Sequence, residues 1–130
     1  KAKDRRIEKR TILIIKDEEK IAIQKRPEKG LLAGLYEFPN LEGYLTRKQL
    51  IEYTKSIGMM PVRIKKLENA KHIFSHVEWH MTGYEIIVDE LEKTCCADMI
   101  FADKKEVMGK YPIPTAFSAF TQYALSIMEN

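Results

Sequence analysis

The run Lys71-His72-Ile73-Phe74-Ser75-His76-Val77-Glu78-Trp79-His80 sets an apolar ring, a hydroxyl and an imidazole side by side. A flat ring such as Phe74 can press into a step between stacked bases. The Ser75 hydroxyl both donates and accepts, so it can test which atoms of a ring edge carry hydrogen. His76 adds nitrogens of either polarity. The triplet is common, so its meaning depends on what else the chain offers.

Other chemistry in the same run is weaker. His76, Glu78 and His80 alternate along a predicted strand, with neighbours on one face roughly 6.6 Å apart, so His76 and Glu78 could in principle share a metal ion. Ordinary polar residues on a half-exposed strand are the simpler reading, and His72 lies too far along to join them. Ser75 beside His76 imitates a nucleophile and its base, but neighbours on a strand point to opposite faces and no oxyanion loop is near. Trp79, Phe117 and Phe120 have the spacing of buried strand and helix faces. Phe74 has two readings. An unbroken strand would place it beside His72 and His76 and bury it, whereas a turn at 74–76 would push it out as a tip. The residues alone favour burial.

The elements that position this run can be read from pattern. Residues 1–9 are basic and polar, as in a mobile tail or the end of a linker, and residues 10–130 make the domain. Thr11–Ile15 and Ile21–Gln24 flank Asp17–Lys20, a hairpin with a polar turn. Pro27, Gly30 and Gly34 punctuate a loop over 26–34, and a short strand near Leu35–Phe38 stops at Pro39. Thr46 and Gln49 have capping-box spacing, and Leu50, Tyr53, Thr54 and Ile57 share a face, so a helix spans about 47–57 and stops at Gly58. Two strands follow, over about 62–73 and 77–90. In the second, Val77, Trp79 and Met81 alternate with Glu78, His80 and Thr82. Gly83 suggests a bulge. A strand near Met99–Ala102, a small helix around Lys104–Met108 and a final helix from Thr115 complete the chain. The final helix should bury Ala116, Phe120, Tyr123, Ala124 and Ile127. The expected class is α+β, a mixed sheet flanked by two to three helices.

Composition narrows the function classes. A chain of 130 residues is one domain, with an ordinary balance of 45% apolar and 32% charged residues. No apolar run could span a bilayer, and no apolar signal core opens the chain. The net charge of +3 is too small to announce a nucleic-acid binder on its own. Its distribution says more: Lys1, Lys3, Arg5, Arg6, Lys9 and Arg10 crowd one end, and Arg63, Lys65, Lys66 and Lys71 lead into the Phe-Ser-His run. These could be a solvated face or phosphate contacts. Cys95 and Cys96 are adjacent, which suits free thiols in a reducing compartment rather than a bridge or a metal cage.

Three segments, in order, carry a resemblance. They are Arg26-Pro27-Glu28-Lys29-Gly30-Leu31-Leu32-Ala33-Gly34-Leu35-Tyr36-Glu37-Phe38-Pro39, the His72–His76 stretch, and Tyr111-Pro112-Ile113-Pro114-Thr115-Ala116-Phe117. From about Arg10 to Gln122 the chain resembles the C-terminal domain of the MutY family, adenine DNA glycosylases that remove adenine mispaired with 8-oxoguanine. The resemblance implies a Nudix-like fold. Nudix hydrolases carry Gly-x5-Glu-x7-Arg-Glu-apolar-x-Glu-Glu-x-Gly-apolar, whose carboxylates hold Mg²⁺. Anchored on Gly58 and Met59, that pattern puts its leading Gly on Glu37 and its first Glu on Gly43. Its Arg falls on Ile51 and its Glu pair on Lys55-Ser56. Only Glu52, Gly58 and Met59 agree, so the helix is expected to survive as scaffold without the hydrolase box.

The resemblance also implies roles. Phe74 would be the wedge, which reverses the burial favoured by the residues alone. Ser75 would bond the lesion's N7–H and O8 edge, and His76 would support the loop or touch the backbone. Lys71, Gly30 and Leu31 are weaker candidates for phosphate contact or domain docking. Partners would be duplex DNA with 8-oxoguanine opposite adenine, and a catalytic domain of the same chain. That catalytic domain would carry the family's iron–sulfur cluster; no cofactor and no catalytic residue is expected in this part. A monomer without membrane contact, cytoplasmic or nucleoid-associated if bacterial, is the accompanying expectation. Two alternatives stay open: an Mg²⁺-dependent hydrolase of an oxidised nucleotide, and a protein-docking module.

Overall fold

The computed structural model describes residues 5–89 and 98–128, so Lys1, Lys3, Cys95 and Cys96 lie outside the described residues. Seven strands form one mixed sheet: β1 (Arg6–Asp17), β2 (Lys20–Lys25), β3 (Tyr36–Glu37), β4 (Asn40–Glu42), β5 (Met60–Ile73), β6 (Val77–Asp89) and β7 (Met99–Ala102). The order is β3-β2-β1-β6-β5, with β4 on β1 and β7 on β2. The sheet is mixed because β1 and β6 run parallel from Arg6↔Val77 to Lys16↔Ile87, while the other pairs are antiparallel.

Two helices cover opposite faces, α1 (Arg47–Ser56) and α2 (Ser118–Ser126). The small helix expected around Lys104–Met108 begins as an α-helical turn at 104–105 and continues as a π-helical turn at Glu106–Lys110, and a 3₁₀ turn at Thr115–Phe117 leads into α2. Ile12, Ile14, Trp79 and Met81 pack toward Phe120 and Ala124 of α2. Leu13, Ile15, Ile64, Ile86 and Val88 pack toward Leu50 of α1. Central strands buried on both faces read as continuous apolar runs, which is why Thr11–Ile15 shows no alternation. Phe117 and Met128 are buried with Ala116, Phe120 and Ala124, whereas Tyr123 and Ile127 are only half-buried.

The local expectations for α1 hold in detail. Thr46 Oγ1 accepts from the Gln49 amide, and the Gln49 side chain accepts from the Thr46 amide. Gly58, at φ +87°, ends the helix in the left-handed region.

Two expectations need correction. The basic segment is not a tail throughout: from Arg6 it is strand, hydrogen-bonded to β6. The irregularity expected at Gly83 lies on the facing strand, between Leu67↔Gly83 and Ala70↔Met81. Gly83 has a different role. A Cβ there would sit 2.3 Å from the Phe120 ring, so the missing side chain is what lets α2 close on the sheet. The short strand expected near Leu35–Phe38 is β3, and a further strand, β4, follows Pro39, whose carbonyl accepts from the Leu13 amide.

Candidate nucleic-acid interface

Strands β5 and β6 meet in a tight turn. The Phe74 amide donates to the Val77 carbonyl at 2.8 Å, leaving Ser75 and His76 as its two central residues. Both are exposed. The Arg6 amide donates to the His76 carbonyl at 3.1 Å, so the first residue of β1 ties down the turn.

Phe74 is neither a free tip nor a core residue. It is half-buried, edge-on to Trp79 with centroids 5.0 Å apart and edge-on to His72 at 4.7 Å. The register explains this. His72 pairs with Trp79, so His72 and Phe74 project to the α2 face, where Trp79 stacks in turn on Phe117 at 5.6 Å. The hairpin therefore exposes the hydroxyl and imidazole and holds the ring behind them.

The same indole links the turn to the glycine-rich loop. The Arg26 guanidinium lies 5.3 Å from the Trp79 ring centre. It also donates to the Leu31 carbonyl at 3.0 Å and forms an ion pair with Glu37 at 2.6 Å. Gln24 donates to the second oxygen of that carboxylate at 2.9 Å. On the same side Arg10 sits 5.9 Å from the Trp79 ring and donates to Asn40 at 2.7 Å. A polar cleft of about 600 Å³ lies among Arg10, Gln24, Arg26, Glu37, Asn40 and Asp98. Arg26 thus ties the loop down at the Leu31 carbonyl, while Gly30, at φ +93°, and the Leu31 side chain stay exposed. Sequence reasoning gave Trp79 a core role and Arg26 none. No local signal joins them: Arg26 follows β2 and Trp79 lies on β6, with β1 between, so their approach shows only once the strand order is known.

Lys71 does not join Phe74. It pairs with His80 and projects to the other face, the side covered further along by α1. There Glu78 gathers two partners: Arg5 Nε at 3.2 Å and His80 Nε2 at 2.9 Å. So Glu78 and His80 meet each other through a side-chain hydrogen bond, and His76 belongs to the turn instead. The hydrogen bonds from His80 and Arg5 hold the Glu78 carboxyl below its ordinary value of 4.5. A carboxylate with a depressed folded-state value stabilises above its unfolded value, and that stabilisation is lost as pH falls through the folded one. Acidification below 4.5 should therefore release the start of β1 first. Amide exchange at Arg6–Glu8 is expected to accelerate while Ile12–Ile15 stay protected; uniform acceleration across β1 would refute the clasp.

The residues of α1 do not suit the metal that a Nudix hydrolase needs. Glu52 is the helix's single acid, and Lys55 stands where a carboxylate would be required. Among the described residues no group of three or more His, Cys, Asp or Glu could hold an ion.

Comparison with known proteins completes the description. A family model described as a NUDIX domain matches residues 10–123. Over 76 residues, 54% of this chain, the sequence is 33% identical to the adenine DNA glycosylase of Mus musculus, and the match spans 15% of that protein's length. The C-terminal domain of mouse MUTYH, solved in complex with human PCNA, matches with a TM-score of 0.74 at 20% identity, over 92% of this chain and 87% of that one. A MutT protein from Bacillus halodurans matches with a TM-score of 0.64 at 14% identity, over 91% and 82% of the two chains. At such identities the structural matches show a shared fold.

Proposed function

Because the chain belongs to the NUDIX domain family, with a stretch related to an adenine DNA glycosylase, we propose that it is the lesion-reading domain of such a glycosylase. It would recognise 8-oxoguanine opposite the adenine to be excised, and the excision itself would belong to another domain of the same protein. The observation that carries this reading is the exposed Ser75–His76 turn with Phe74 held directly behind it.

The physical task is narrow. Relative to guanine, the lesion has an added oxygen at C8 and a hydrogen on N7. A hydroxyl that donates and accepts can satisfy both atoms, and guanine's bare N7 leaves one bond unmade. One or two such bonds are worth about 1–3 kcal/mol of discrimination. Phe74 supplies the wedge that opens the base step, and His76 steadies the turn or meets the sugar-phosphate backbone. Trp79 buttresses the wedge from behind, and Arg26, laid over that indole, ties in the Leu31 carbonyl of the glycine-rich loop.

A hydrolase reading is disfavoured by the donor set on α1. Docking of a sliding clamp has one observation in its favour, the complex of the mouse domain with PCNA. An amide NMR titration separates the readings. Two duplexes at low salt, differing only in guanine or 8-oxoguanine opposite adenine, are added to the chain. Larger shifts at Phe74–His76 with the lesion are expected. Identical shifts with both duplexes would overturn lesion reading, and shifts with clamp alone would favour docking.

A further inference from the structure

The face of the sheet opposite Phe74 carries a feature that the turn does not use. Register brings Lys9, His80 and Lys71 into one row across β1, β6 and β5, because Lys9 and Lys71 are both Cα partners of His80. Partners in register project to the same side, so the two lysines flank the imidazole, roughly 10 Å apart across two strand spacings. Towards the turn, the next row is Ile7, Glu78 and Ile73. Its only acid is matched by Arg5 and His80. Among the described residues neither Lys9 nor Lys71 has an acidic partner; Lys9 lies 5.4 Å from the Tyr44 ring centre. Away from the turn the row is bounded by the β5 irregularity, which sets Glu68 and Asn69 opposite Thr82.

This end of the face is also uncovered. Helix α1 packs lower down, against Ile64 and Ile86. Ile7 and Ile73 remain 55% and 51% exposed. The opposite face at the same height is filled by Phe74, Trp79 and Leu32, and its two arginines beside Trp79 are half-buried and hydrogen-bonded, Arg10 to neutral Asn40 and Arg26 to Glu37. A duplex read at Ser75 has to lay its backbone along one face or the other. On the lysine face Lys9 and Lys71 are exposed and, among the described residues, without an acidic partner, and Lys71 stands four residues from Ser75, roughly 13 Å along an extended strand.

We propose that Lys9 and Lys71 form a phosphate-binding row on the open face of the sheet, gripping the DNA backbone beside the base read at Ser75. This rests on the lesion-reading function above and adds a sequence-independent grip to it. Lysines act here as point charges, so the row binds any duplex and contributes through release of counterions. Its two charges suit a polyanion with repeated phosphates.

The test is the salt dependence of duplex binding by the chain and its Lys9→Gln/Lys71→Gln variant. Both side chains are exposed, and glutamine keeps much of their stems, so the fold is not at stake. Each lost phosphate contact lowers the slope of log K against log salt by about 0.9, so the variant should lose about 1.8. The loss should be equal on lesion and undamaged duplexes, leaving the ratio of their affinities unchanged. An unchanged slope with lesion preference intact overturns the row and leaves lesion reading standing. A reduced slope in a chain that never preferred the lesion overturns lesion reading and keeps the row. A chain that binds no duplex at low salt overturns both. Equal loss toward a polyglutamate peptide would assign the row to an acidic protein instead.

Discussion

Trp79→Ala is expected to destabilise the chain by about 3–5 kcal/mol, the range for removing a large buried aromatic. The residue is 2% exposed and joins more of the molecule than any other ring near the turn. Phe117 packs on one side of it, Phe74 on another, and the guanidinium groups of Arg10 and Arg26 lie over its ring. Truncation would leave a cavity beneath Phe74 and remove the surface on which Arg26 is laid while holding the Leu31 carbonyl. In a domain of this size the loss corresponds to a fall of roughly 10–20 °C in Tm.

The indole nitrogen sharpens the test. Trp79 Nε1 is buried and has no hydrogen-bond partner among the described residues. Trp79→Phe should therefore cost much less than Trp79→Ala, because it keeps a ring and removes an unsatisfied donor. Urea denaturation of the three proteins would measure both differences. A cost below about 1 kcal/mol for the alanine variant would mean that the aromatic stack is not packed as described.

Phe74→Ala together with Ser75→Ala should erase the preference for 8-oxoguanine over guanine while the chain stays folded. The two side chains contribute differently. Ser75 is exposed, so its loss should leave stability untouched and remove the bond that separates the two bases. Phe74 is half-buried, and its truncation costs a fraction of the 5–15 kcal/mol that a domain typically has to spare. Phe74→Leu serves as the companion variant, keeping most of the packing on Trp79 without a flat ring to wedge. The expected loss of discrimination is about 1–3 kcal/mol, or roughly fivefold to 150-fold in the ratio of dissociation constants. Competition binding with the two duplexes reads it directly. Full lesion preference in the double variant would end the assignment of this turn as the reader.

The half-burial of Phe74 adds a consequence. Under the proposed reading, a ring that entered a base step would give up its edge-on packing on Trp79, the chain's single tryptophan. If Phe74 wedges as proposed, the energy of wedging would include the loss of that edge-on packing.

Local signals in the sequence determined the β1–β2 hairpin, the cap and stop of α1, and the two long strands that bracket Ser75–His76. Each depends on residues a few positions apart: a polar turn, a Thr and Gln at capping distance, a period of two. The Phe-Ser-His run and the degenerate metal helix were legible for the same reason. The resemblance to a family rested on three such segments kept in order.

Other features depended on pairing between distant parts of the chain. Arg6–Lys9 reads as a charged tail because Ile7 is its only apolar residue; it becomes strand through parallel hydrogen bonds to β6. Which face takes Phe74 and which takes Lys71 follows from the β5–β6 register, since adjacent rows of an antiparallel pair project oppositely. The convergence of Arg26, Trp79 and the glycine-rich loop required β2 and β6 to be brought together by β1 lying between them. Tertiary structure alone decided these, because partners in a sheet are chosen by burial on both faces and not by any signal within a single strand.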